Sequence, residues 1–167
     1  PPRSTLFPYT TLFRSRSGKD NREPCRLAEV VWAAAEDCRA AAAASGVEIH
    51  IEVPEEIELV LARSNIERVF QNLIGNAVEA MPHGGAVRIT CRRDGEAAVV
   101  AVEDTGPGVP AGIRDTLFQP FVTAGKRSGL GLGLALSRQT VLDHGGDLWL
   151  DAGTSGARFL LRFPRAA

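Results

Sequence analysis

Cysteine is scarce: Cys25, Cys38 and Cys91 are odd in number, far apart and never in a CxxC pair. Neither a disulfide framework nor a zinc site follows from that pattern, and a reducing, cytosolic setting is the expectation. No apolar run approaches the roughly 20 residues of a membrane helix, and no basic-then-apolar leader opens the chain. Charge of one sign is also lacking. Lys and Arg number 19 against 20 Asp and Glu, a net charge of −1, which speaks against a general nucleic-acid binder. What is present, 44% hydrophobic and 23% charged residues over 167 positions, is the balance of a globular domain long enough for a real core.

The opening stretch has no helical or strand periodicity and is basic, with five Lys or Arg against two Asp or Glu over residues 1–23. Residues 5–15, TLFPYTTLFRS, look like the in-frame translation of a common DNA sequencing adapter. The expectation is that residues 1–16 stand outside the fold, 17–23 are a linker remnant, and 24–167 form the domain. On that reading the frame is cut upstream, so that a preceding domain lies outside this sequence.

Past residue 24 the pattern becomes regular. Leu27, Val30, Val31, Ala34, Cys38 and Ala41 recur at helical spacing over residues 26–44, ahead of Ser45-Gly46. Val47–Val53 alternates as a strand, and Ile57–Leu61 predicts a second after Pro54. Asn65 is placed to cap a helix running to Met81, stopped by Pro82-His83-Gly84-Gly85. Ala86–Arg92 and Ala97–Glu103 predict a hairpin, with Asp94-Gly95 in its turn. A Gly-, Pro- and Thr-rich stretch follows over 104–130, with one helical turn near Ile113–Leu117. A helix over 132–144 and strands at 147–152 and 157–163 complete the chain. The order implies helices packed on one face of a mixed sheet, an α+β two-layer sandwich. Structureless stretches as long as 104–130 are usually functional inside compact domains, so the chemistry is expected there and on what faces it.

Four segments carry candidate chemistry. In the helix at 65–81, Asn72, Asn76 and Glu79 fall within roughly 60° of one another, beside a core face of Ile66, Val69, Leu73, Ala77 and Met81. Carboxamide and carboxylate oxygens are hard ligands suited to Mg²⁺, which commonly bridges nucleotide phosphates; a solvated polar face is the alternative. Gly75 on that stripe permits close approach. The apolar run Val99–Val102 then leads into Glu103-Asp104-Thr105-Gly106-Pro107-Gly108, where a carboxylate at a strand end can accept from an adenine amino group and the glycines let backbone lie against the base. Gly129, Gly131 and Gly133 open the next helix, where unpaired N–H groups favour phosphate. The run is neither a Walker A loop nor a good dinucleotide-binding fingerprint, since Pro120 and FVTAGKRS precede it. Gly153–Phe159 alone is a hairpin turn.

Together and in this order the segments resemble the ATP-binding domain of sensor histidine kinases, in the GHKL or Bergerat-fold ATPase superfamily. QNLIGNAVEAM (71–81) resembles the N box, EDTGPGVP (103–110) the G1 box, LFQPFVTAGK (117–126) the F box, GLGLGLAL (129–136) the G2 box and GTSGARF (153–159) the final glycine box. The resemblance implies ATP and Mg²⁺ as cofactors, with Asp104 on adenine, Asn76 on the metal, and Asn72 supporting metal and phosphates. It further implies that the segment Gly129, Leu130, Gly131, Leu132 and Gly133 holds the phosphates, that Gly106 and Gly108 shape the base pocket, and that Thr154 lies near it. Lys126 would reach the γ-phosphate from a lid over 109–128 anchored by Phe118 and Phe121. Leu130 stands where Thr is frequent. Glu79 stands where a basic residue is frequent, and its role is left open as base-like, metal-supporting or solvated.

Hydrolysing members of the superfamily place a glutamate one turn before the metal asparagine, where this chain has Asn72. Without a general base there, transfer to a protein acceptor is the better reading than hydrolysis. The F box is a mark of the histidine-kinase version, and the NAVEAM form resembles nitrogen-regulation-type sensor kinases. The implied function is transfer of the γ-phosphate to a histidine on upstream dimerisation helices, with a response regulator as the further partner and a homodimeric, membrane-anchored or cytoplasmic parent. A stand-alone anti-sigma-factor-type serine kinase shares these boxes and is the alternative. His50, His83 and His144 stand outside any acceptor-box context and are read as structural, so the fragment alone is expected to be inactive in self-phosphorylation.

Overall fold

A computed structural model gives the fold and describes residues 21–122, 133–152 and 155–165. Chain order is β1 (Glu23–Arg26), α1 (Leu27–Ser45), β2 (Val47–Glu52), β3 (Glu58–Leu61), α2 (Arg63–Glu79), β4 (Gly85–Asp94), β5 (Ala97–Asp104), a 3₁₀ turn (Ala111–Thr116), α3 (Gly133–Asp143), β6 (Asp147–Leu150) and β7 (Arg158–Phe163). Five strands form a mixed sheet in the order β2-β4-β5-β7-β6, in which only β2 and β4 run parallel. The helices pack on one face of it, as expected. No helix among the described residues is long and apolar enough to cross a membrane.

The predicted core stripe of α2 is buried: Ile66, Val69, Leu73, Ala77 and Met81 are each at most 5% exposed. It meets Val30, Val31 and Ala34 of α1 and, from the sheet, Val87, Ile89, Val100, Val102, Phe159 and Leu161 in one apolar cluster. The alanine-rich sequence of α1 carries little helix-forming cost, and its first N–H, that of Leu27, is satisfied by the Ile57 carbonyl at 2.9 Å. In the hairpin, Asp94 pairs with Ala97 across a two-residue loop. Gly95 there has φ 61°, a conformation that explains why Asp-Gly was a usable signal.

Two departures from expectation have identifiable causes. Asn65 does not cap α2. The helix begins two residues earlier with Ala62 at the cap position and no side-chain cap, and the Ala62 carbonyl accepts from the N–H groups of Asn65 and Ile66. The N–H of Ala62 donates instead to Nε2 of His144 at 3.1 Å, while Nδ1 of His144 bonds the Thr140 carbonyl at 2.7 Å. An amide N–H only donates and a carbonyl only accepts, so the geometry selects the neutral Nδ1–H tautomer. The second departure is β1, which periodicity does not predict. It is four residues long, contains Pro24, and exists only by pairing antiparallel with β3.

Candidate functional site

Asp104 stands at the C-terminal end of β5, the central strand of the sheet, half-buried and with a defined carboxylate. Oδ1 accepts from the N–H of Gly106 at 2.9 Å and from that of Ala157 at 3.2 Å, and the Asp104 N–H donates to the Ala157 carbonyl at 2.9 Å. The second and fourth candidate segments, far apart in sequence, thus meet on one carboxylate.

The surrounding glycines are required by space. A Cβ on Gly156 would strike the Asp104 backbone carbonyl, and one on Gly106 would lie 3.1 Å from both Asp104 Oδ1 and Met81 Cγ. Gly108 has φ +79° and sits against the Ser155 and Gly156 carbonyls. Gly85 is closed in by Met81 Sδ and Thr105 Oγ1, at 2.5 and 2.8 Å from the position a Cβ would take. Thr105 Oγ1 accepts from the Ala86 N–H at 3.0 Å and donates to Met81 Sδ at 3.5 Å. Together these hold the start of the Asp104–Gly108 turn to the C-terminal end of α2.

On α2 the polar stripe divides. Asn76 is half-buried and Glu79 exposed. The space where a Gly75 Cβ would stand is open, with nothing within 4 Å. Asn72 turns toward α3: its Nδ2 donates to Ser137 Oγ at 2.9 Å, and its carboxamide lies over Gly133. Phe118 packs edge-on against Phe159, with centroids 6.2 Å apart, under the Arg138 guanidinium at 5.3 Å. Phe121, expected as a second anchor, is 59% exposed and has a left-handed backbone at φ 68°. Leu117, 6% exposed, and the half-buried Phe118 seat this segment on the core.

Lys126, Gly129, Leu130, Gly131, Leu132 and Thr154 lie outside the described residues, as does the 1–16 segment. Of the histidines, His144 is buried and bonds the Ala62 N–H, His50 lies 3.1 Å from Glu48 Oε2 in an exposed pair, and His83 is exposed in its turn. Burial raises the Cys91 thiol to about 11 and pushes Cys25 and Cys38 upward as well, so none is poised as a nucleophile. Sequence reasoning did not single out Thr105, Gly156, Gly85 or Ser137. Thr105 and Gly156 stood inside quoted segments, whereas only tertiary contact reveals Gly85 and Ser137.

A family model described as histidine kinase-, DNA gyrase B-, and HSP90-like ATPase matches residues 61–167. The C4-dicarboxylate transport sensor protein DctB of Rhizobium meliloti is 34% identical over 155 residues, covering 91% of this chain and 25% of that protein. The sensory histidine kinase/phosphatase NtrB of Klebsiella oxytoca is 30% identical over 138 residues, covering 70% and 39% respectively. The chain thus spans well under half the length of these relatives. The catalytic domain of histidine kinase ThkA superposes with a TM-score of 0.78 at 27% identity, over 86% of this chain and 95% of that domain. ThkA has also been solved in complex with the response regulator protein TrrA.

Proposed function

Since the chain belongs to the histidine kinase-, DNA gyrase B-, and HSP90-like ATPase family, we propose that it binds ATP with Mg²⁺ between α2 and the Asp104–Gly108 turn and serves as the phosphoryl-donating domain of a two-component sensor kinase. The observation that carries this reading is the convergence of Gly106 and Ala157 on one oxygen of Asp104. In this reading the Asp104 carboxylate, fixed by those bonds, is the acceptor for the adenine amino group. Gly106, Gly108 and Gly156 let the turn after β5, Met81 and the loop before β7 close on one another, and in this reading Gly106 and Gly108 shape the base pocket. Thr154 is proposed as a further residue of the ATP site.

The residues present fit a Mg²⁺ ion. Such an ion takes one or two protein oxygens and completes its shell with phosphate oxygens and water. Asn76 offers a carboxamide oxygen beside the open space at Gly75. Bound there, the ion would neutralise charge on the transferring phosphoryl group. Asn72 supports this end of the site through α3, Gly129–Gly133 hold phosphates by their backbone N–H groups, and Lys126 reaches the γ-phosphate. Glu79, exposed one turn beyond Asn76, borders the metal. With asparagine rather than a carboxylate at position 72, water has no general base there and transfer to a protein acceptor is favoured over hydrolysis.

The acceptor in this reading is a histidine on a dimerisation segment outside these residues, in a homodimeric parent whose kinase domain faces the cytoplasm, and the phosphoryl group passes on to a response regulator. The DctB, NtrB and ThkA names support that over an anti-sigma-factor-type serine kinase. Residues 24–167 are the proposed domain, and 1–16 no part of it. The test is incubation with γ-labelled ATP, alone and with the histidine-bearing dimerisation domain of a related sensor kinase. Acid-labile label on the added domain and none on the chain is expected. Stoichiometric self-labelling, or acid-stable label on serine, would contradict it.

A further inference from the structure

Ser137 is one of two buried polar side chains among the described residues, the other being His144. It is 4% exposed in the first turns of α3, on the side that also buries Val141. Ala135 shows that alanine is at home in this helix, and a buried hydroxyl needs a partner to be tolerated. Its partner is Asn72, 65 residues earlier, whose Nδ2 donates to Oγ at 2.9 Å. One turn before Ser137, a Cβ on Gly133 would stand 2.5 Å from Asn72 Oδ1 and 2.6 Å from Nδ2. The carboxamide therefore occupies a notch made by a missing side chain on one side and a hydroxyl on the other.

We propose that Ser137 and Gly133 are positioning residues that clamp Asn72 and so hold the first turn of α3 at one separation from Asn76 on α2. This rests on the ATP reading above. Asn72 lies one turn before Asn76, and Gly133 is the last residue of the proposed phosphate-holding run, so the clamp joins the metal-facing helix to the phosphate-facing one. On that reading adenine is held elsewhere, at Asp104, whose carboxylate is fixed by Gly106 and Ala157 rather than by Ser137 or Gly133. Loosening the clamp is thus expected to weaken the grip on phosphates and leave the grip on the base.

Calorimetric titrations of the full chain with Mg-bound non-hydrolysable ATP analogue and with adenosine test this on Ser137→Ala and Gly133→Ala. Ser137→Ala removes the hydroxyl at little cost to helix propensity. Gly133→Ala keeps the hydroxyl but drives the carboxamide from its notch. Both are expected to bind the triphosphate roughly tenfold more weakly, about the worth of one net hydrogen bond, while adenosine affinity stays within about twofold of the unaltered chain. A thermal melt on each variant shows that it is folded. Equal losses for both ligands would reduce Ser137 to a structural residue, and unchanged triphosphate affinity in both variants would also overturn the proposal. If the unaltered chain bound neither ligand, the ATP reading itself would fall, a result distinguishable from failure of the clamp.

Discussion

Replacing Asp104 by asparagine exchanges one carboxylate oxygen for an amide nitrogen with almost no change in volume. The remaining oxygen can keep both protein bonds, to the N–H groups of Gly106 at 2.9 Å and Ala157 at 3.2 Å. Those bonds lose their charge assistance, a loss of about 1 kcal/mol in total stability. The melting temperature is therefore expected to fall by only a few degrees. On the ligand side the new amide presents a donor to the adenine amino group, itself a donor. Loss of a bond to a charged acceptor costs about 2–3 kcal/mol, equivalent to roughly 30- to 140-fold in Kd. Calorimetry with a Mg-bound ATP analogue reads this directly. A base with a carbonyl in place of the amino group, as in an inosine nucleotide, should lose much less, because the asparagine amide can donate to it. Asp104→Ala behaves differently, since it strips the acceptor from two backbone N–H groups and should lower the melting temperature markedly. Unchanged ATP-analogue affinity in Asp104→Asn, with the fold intact, would refute the placement of the base.

His144→Ala leaves the Ala62 N–H without its acceptor and should cost about 1–3 kcal/mol in urea unfolding, with nucleotide affinity in the folded protein unchanged. Selective loss of nucleotide binding would mean that His144 belongs to the site. Cys91, raised to about 11 by burial, should react with a thiol reagent at pH 8 much more slowly than an unfolded control. The sign is fixed by linkage: the folded state holds the proton longer than the unfolded one, so stability is flat below about 9 and falls as pH rises from there to about 11. A rise over that window in Cys91 relative to Cys91→Ala would contradict it. Trypsin cleavage after Lys126 and Arg127 is expected to slow more with a Mg-bound ATP analogue than with Mg-ADP, and equal rates with and without ligand would remove any nucleotide-coupled lid.

Much of the fold was legible because single elements carry their own signals. The stripe from Ile66 to Met81, the alternation in β2 and the Asp94-Gly95 turn each encode a local periodicity or backbone requirement that burial and sheet register then repeat. What sequence did not disclose depends on partners distant along the chain. Ala62 serves as a helix cap only because His144 arrives 82 residues later to take its N–H, so the nearer Asn65 looked the better cap. A strand as short as Glu23–Arg26 has no meaning apart from β3. At the site, the Asp-x-Gly-x-Gly signature named Asp104, but nothing local says that Ala157 shares its oxygen. Asn72 and Asn76 looked alike on one helical stripe, and α3 distinguishes them by engaging the first.

In the proposed reading α2, the turn after β5 and the loop before β7 form one ATP site. Titration of isotopically labelled chain with a Mg-bound non-hydrolysable ATP analogue, followed by backbone amide chemical shifts, tests it residue by residue. Saturable shifts are expected at Asn76, Gly106, Gly108 and Gly156, with the far ends of β2 and β4, including Glu52 and Asp94, unmoved. Absence of shifts at millimolar analogue, or shifts clustered on those strands while the glycines stay still, would contradict it.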